Sequence, residues 1–172
     1  MRWFRSWKAD PSARILADRH YNRQRVGAAQ FVPPGRALVL LVPGSAFWIT
    51  SAPFAEYVKH RWAGAWVNSA FRNEAPTRLL SSELILEALA ASRAVLGEPP
   101  ELGMVTFIDR RKVRGKRHYG YCYRMAGFEE DGYTVDEKLL ALRLRPERMP
   151  PPHAPLEQQL RLSFADAAGG GQ

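Results

Sequence analysis

The sequence predicts an α/β chain, a single domain with a mixed, mostly antiparallel sheet flanked by helices. Three observations predict it. Short apolar runs at 36–42, 46–50, 64–71 and 102–109 have the length of strands, and turn residues bound them. One longer stretch, 76–96, repeats its apolar residues at helical spacing. The order is helix, three strands, long helix, strand, short helix, strand pair. It lacks the strict alternation of a doubly wound parallel sheet.

The elements follow in order. Asp10-Pro11 reads as an N-cap and a proline in the first helical turn, opening a helix over 11–20. Gly27, Pro33, Pro34 and Gly35 make 24–35 a loop. Residues 36–42 are continuously apolar, as a strand buried on both faces should be. Pro43-Gly44-Ser45 turns the chain into 46–50, giving a hairpin. The basic, aromatic stretch 51–63 fits neither periodicity and reads as an excursion. Residues 64–71 form the third strand. Pro76 opens the long helix, whose stripe includes Leu80, Leu84, Ala88 and Ala91, and Gly97 closes it before Pro99-Pro100. Tyr133-Thr134 and 138–144 read as a closing hairpin. The domain is placed at 1–146. Residues 147–172 are a proline-rich linker and tail, with a short helix expected over 156–164 and disorder after it.

Composition narrows the function. The 172 residues include 46% hydrophobic and 24% charged side chains, ordinary for a globular protein. No apolar run approaches a membrane span, and charge breaks the N-terminus every few residues. A cytoplasmic location is expected. Cys122 is the only cysteine, which excludes an internal disulfide and a cysteine-based zinc site. The net charge of +8 and pI of about 10.1 point to a polyanion, nucleic acid first. An arginine-rich composition alone gives the same total, but here the charge is clustered.

The strongest cluster lies in 102–128. An apolar strand ends at Asp109. Arg110, Arg111, Lys112, Arg114, Lys116 and Arg117 then fill six of eight positions, and a short aromatic helix ends at Gly127-Phe128. Positive charge on a flexible element suits phosphate contact, and Gly115 allows close backbone approach. The bland reading is a solvated basic loop.

Fold order and the run Tyr121-Cys122-Tyr123-Arg124-Met125-Ala126-Gly127-Phe128 resemble the GCN5-related N-acetyltransferase (GNAT) fold across roughly 10–146. Ordinary members carry a Gln/Arg-x-x-Gly-x-Gly/Ala turn for coenzyme A. Here the loop is Phe71-Arg72-Asn73-Glu74-Ala75-Pro76-Thr77-Arg78, without glycine, so acetyl-CoA is not the expected donor. His20-Tyr21-Asn22-Arg23, that glycine-free loop, and Asp109 with Tyr119 ten residues on resemble the phage Mom-type DNA modification family. Asn22 stands where that family has serine. The resemblance implies transfer of a carbamoylmethyl-like group from a small-molecule donor to adenine N6 in double-stranded DNA, the base leaving the stack. It also brings in iron, with His20 and one carboxylate as conceivable ligands, although no ligand spacing demands a metal.

On this reading Asp109 hydrogen-bonds or deprotonates the amino group. Its structural alternative is a cap on the following loop or a pair with Arg110 or Arg111. His20 serves as base or ligand and Tyr21 stacks on the base; the alternative is a helix-terminal His beside a half-buried Tyr. Arg72, Asn73 and Glu74 bind substrate at the long helix's N-terminus, unless Asn73 or Thr77 merely caps it. Tyr119 and Tyr123, four apart, share a helical face, and one of them enters the cleft. Tyr121 is expected to be structural, Ser81 and Ser82 to sit in the first helical turns, and Cys122 to be a small buried hydrophobe. Two other functions are kept: an atypical acetyltransferase acting on a small amine or protein, and a non-catalytic DNA-binding protein on a GNAT scaffold. A homodimer is compatible with all three.

Overall fold

The computed structural model describes residues 1–58, 60–76, 78–113, 118–136 and 138–157. Among these residues seven strands form one sheet: β1 Phe4–Ser6, β2 Arg36–Val42, β3 Ala46–Ala52, β4 Trp66–Asn73, β5 Met104–Ile108, β6 Glu129–Tyr133 and β7 Leu140–Leu144. Their spatial order is β1-β2-β3-β4-β5-β7-β6. Only β4 and β5 run parallel; the other neighbours are antiparallel. The helices are α1 Pro11–Asp18, α2 Ser81–Leu96 and α3 Tyr121–Met125. The chain thus forms a mixed, mostly antiparallel sheet flanked by helices. No helix among the described residues is long and apolar enough to cross a membrane.

The continuous apolar run of β2 has a direct cause. Leu38 and Leu40 face the core built with α2, while Val39 and Leu41 pack with Ala13, Leu16 and Ala17 of α1. Successive strand side chains alternate faces, so a strand covered on both sides must be apolar throughout. A buried polar chain ties β3 to α2. Trp48 Nε1 donates to Thr50 Oγ1 at 2.7 Å, and Thr50 shares a hydrogen bond with Ser92 Oγ at 2.7 Å.

Among the boundaries that differ from expectation, two bear on the site, while α1 stops at Asp18 instead of His20 and β6 starts at Glu129 instead of Tyr133. The third strand runs to Asn73, taking in Arg72 and Asn73. The long helix begins at Ser81, not at Pro76. Asn73 explains the delay. Its Oδ1 accepts from Ala75 N–H at 2.9 Å, and its Nδ2 donates to Leu79 O and Ser81 Oγ, both at 3.0 Å. A side chain that satisfies the backbone locally competes with helix formation. Arg72, Asn73 and Glu74 therefore stand at a strand end, short of the helix N-terminus.

The N-terminal strand was not legible as one. β1 pairs with β2 and buries Trp3, whose indole donates to Leu84 O at 2.8 Å. Residues 149–157 return across α2. His153 N–H donates to Ala90 O, Met149 is buried, and Leu156 bridges in parallel to Phe4. Most of the short helix expected over 156–164, and the tail after it, lie outside the described residues.

Candidate functional site

β4 and β5 pair over three rungs, Trp66 with Met104, Val67 with Val105 and Asn68 with Thr106. Beyond them β4 stays with β3 and β5 stays with β7. The register of β3 with β4 shifts at this point: Thr50 faces Asn68 and Ile49 faces Ala70, leaving Ser69 as the extra residue of a bulge. A bulge bends its strand. The two parallel strands part, and a cleft of about 590 Å³ opens at their C-terminal ends. Open α/β sheets commonly bind ligands at such an opening.

Asn68 holds the bulge together. Its Nδ2 donates to Ile49 O at 3.1 Å and to Ala70 O at 3.0 Å, spanning the shifted register. That fixes Oδ1 toward the cleft. Oδ1 accepts from Tyr123 Oη at 2.6 Å and from Thr106 Oγ1 at 3.3 Å. Burial holds the Tyr123 phenol well above its ordinary pKa, with Cys122 beside it adding to the shift. Tyr123 is a neutral hydrogen-bond donor in the cleft wall.

His20 and Tyr21 lie across from this network, just past the end of α1, and both line the cleft. Their rings stack at 4.6 Å. His20 Nδ1 accepts from Asn22 N–H at 3.2 Å. Burial, then the Arg72 charge, lowers its pKa to about 4, against an opposing hydrogen bond to the Phe71 backbone. His20 is accordingly a neutral imidazole at pH 7. Burial raises the Tyr21 pKa, and its phenol hydrogen-bonds the Asp109 backbone.

Arg72 and Asn73 line the cleft, but neither is idle there. Arg72 Nη1 donates to Arg19 O at 2.6 Å, and Arg72 and Arg19 both pair with Glu74. These pairs hold the Glu74 carboxyl below the usual range and clamp the end of α1 to the end of β4. Glu74 itself does not line the cleft.

Asp109 follows the structural alternative. Its carboxylate pairs with Arg111 at 2.9 Å on both oxygens and accepts from Arg111 N–H at 3.0 Å. The Arg111 hydrogen bond, opposed by burial, lowers its pKa. The side chain closes the turn that follows β5 and does not line the cleft. Tyr119 lies outside the cleft too, because α3 begins only at Tyr121 and the expected shared face with Tyr123 does not form. Arg110 and Lys112 are exposed on the same turn as Arg111. Arg114, Lys116 and Arg117 lie outside the described residues, as do Gly115 and Thr77.

Of the residues expected at the site, the cleft gathers His20, Tyr21, Arg72, Asn73 and Tyr123. Sequence reasoning missed Asn68 and Thr106, and assigned Tyr121 a structural role, whereas it lines the mouth, 60% exposed. An Asn-Ser pair interrupting an apolar strand is the signal that could have marked the bulge. The lining contains one arginine and no lysine or carboxylate among the described residues. It suits a flat, uncharged group with several hydrogen-bonding edges.

The site fits neither a metal nor coenzyme A well. Among the described residues no set of three His, Cys, Asp or Glu is close enough to hold a metal, and no carboxylate accompanies His20 in the cleft. The bend after β4 presents an asparagine side chain and Pro76 where a coenzyme pyrophosphate would need glycine and free N–H groups. Comparison with protein-family models, curated proteins and solved structures gave no match.

Proposed function

We propose that this chain is a GNAT-like transferase of the Mom type, which modifies a nucleobase in DNA, with adenine N6 as the acceptor. One observation carries the reading. Residues from distant parts of the chain, His20 and Tyr21 after α1 and Tyr121 and Tyr123 of α3, line one cleft that has no carboxylate among the described residues. Aromatic walls with neutral hydrogen-bonding groups hold an extruded base without penalising its lack of charge. The net charge of +8 supplies attraction to the DNA backbone.

In the proposed step the N6 lone pair attacks the electrophilic carbon of a small-molecule donor, forming the C–N bond. The donor's leaving group departs with the electron pair. The Tyr123 phenol, whose one proton is held by Asn68 Oδ1, offers its oxygen as an acceptor to the base's amino group, and the leaving group takes its proton from solvent. His20 accepts the proton that N6 must shed on Nδ1, its one lone pair, giving up the 3.2 Å contact from Asn22 N–H. A nitrogen that has just formed a new bond is far more acidic than imidazolium, so a base with a pKa of about 4 is strong enough. Asn68 keeps the phenol aimed. Asp109 has no proton-transfer role and shapes the turn beneath Tyr21.

The test is mass spectrometry of nucleosides from plasmid DNA of cells that express the protein. A heavier deoxyadenosine is expected. Saturable acetyl-CoA binding with unmodified DNA would replace this reading with the atypical acetyltransferase. Salt-sensitive DNA binding with no modification under any donor supply would replace it with the non-catalytic scaffold.

A further inference from the structure

A second concavity, of about 280 Å³, adjoins the cleft on the side of β6. His118 lines both, so one wall separates them. Its floor includes the buried Leu140, and Tyr119 and Tyr133 contribute aromatic surface. The Arg110 guanidinium lies 4.8 Å over the centre of the Tyr133 ring. Glu130 organises the other side, accepting from Arg124 Nη2 at 2.9 Å and from Tyr133 Oη at 3.3 Å. Two guanidinium groups thus face one carboxylate, and the balance is positive.

A stacked Arg–Tyr pair beside an excess of positive charge is a platform for a base joined to a phosphodiester. We propose that this concavity is a second subsite, which takes the nucleotide next to the one held in the cleft. Its base stacks on the Arg110–Tyr133 pair, and its phosphate meets Arg110 and Arg124. The substrate is then recognised as two adjoining nucleotides, both out of the stack, not as one flipped base in an otherwise intact duplex. This inference rests on the nucleobase reading of the main cleft.

The test uses fluorescence anisotropy of the full chain with two labelled single strands. One is a short oligodeoxyadenylate; the other has abasic residues at alternate positions, so any base in the cleft lacks a neighbouring base. The wild-type chain should bind the alternating strand about tenfold more weakly. Tyr133→Leu should lose about tenfold on the complete strand and little on the alternating one, removing the difference. Arg110→Gln, at an exposed position, should shrink the difference in the same way even if Tyr133→Leu folds poorly. Equal wild-type affinity for both strands would overturn the second subsite alone, as would variants that weaken both strands equally. Failure to bind either strand would overturn the nucleobase reading with it.

Discussion

Asn68 is where fold and chemistry meet. Its amide spends both donors on the bulge and its oxygen on Tyr123 and Thr106. Asn68→Ala would remove the amide's hydrogen bonds to two backbone carbonyls, to the Tyr123 phenol and to Thr106. We expect a loss of about 2–4 kcal/mol in urea unfolding. His20 gives a pH signature. The unfolded chain takes up a proton on this residue near pH 6.5, while the fold keeps it neutral until about 4. Stability from this source is full above pH 6.5 and falls as pH drops toward 4. Measured by unfolding across that window, the wild type should lose stability relative to His20→Gln; parallel profiles would refute the assignment. Asp109 has the opposite partner chemistry. The Arg111 pair keeps its carboxylate charged, and that contribution disappears only below the ordinary aspartate range. What a residue does was the least legible level in the sequence. Asp109 stood at a strand end beside dense positive charge, and both its catalytic and its capping reading were compatible with that. Only the direction of the side chain separates them, and direction depends on the turn, which the basic run does not encode.

Elements were more legible where burial dictates pattern. The hairpin of β2 and β3 followed from two apolar runs and Pro43-Gly44-Ser45, since strands covered on both faces need apolar residues throughout. The start of α2 was misread because Pro76 is favoured in a first helical turn, and nothing in composition reveals that Asn73 will claim the next backbone groups. β1 was missed because three residues carry too little periodicity to stand out. The start of α3 rests on Gly120, which has φ +67°. A Cβ there would lie 2.4 Å from Leu142 Cδ1 and 2.6 Å from Ile108 Cδ1. Gly120→Ala should cost about 2–4 kcal/mol, combining a left-handed backbone with overpacking. It should also disorder the wall that carries Tyr121 and Tyr123, which loss of DNA modification at a temperature where the variant remains folded would report.

At the scale of the whole molecule, the chain closes on itself. Residues 149–157 pack on α2 and add a backbone bridge to β1, which otherwise is the outer edge of the sheet. Removing everything after Arg148 should expose Trp3 and speed hydrogen exchange at residues 4–6, with exchange in β5 little changed. The central claim is that base modification happens in the cleft between β4 and β5. The most direct measurement is the modified fraction of deoxyadenosine, by mass spectrometry of plasmid digests, in cells expressing the wild type, Tyr123→Phe, Tyr119→Phe or Asp109→Asn. We expect modification in the wild type, a loss of at least about tenfold in Tyr123→Phe, and most of the signal kept in Tyr119→Phe and Asp109→Asn. Unmodified DNA alongside folded wild-type protein, or a signal that Asp109→Asn abolishes and Tyr123→Phe leaves intact, would contradict the account.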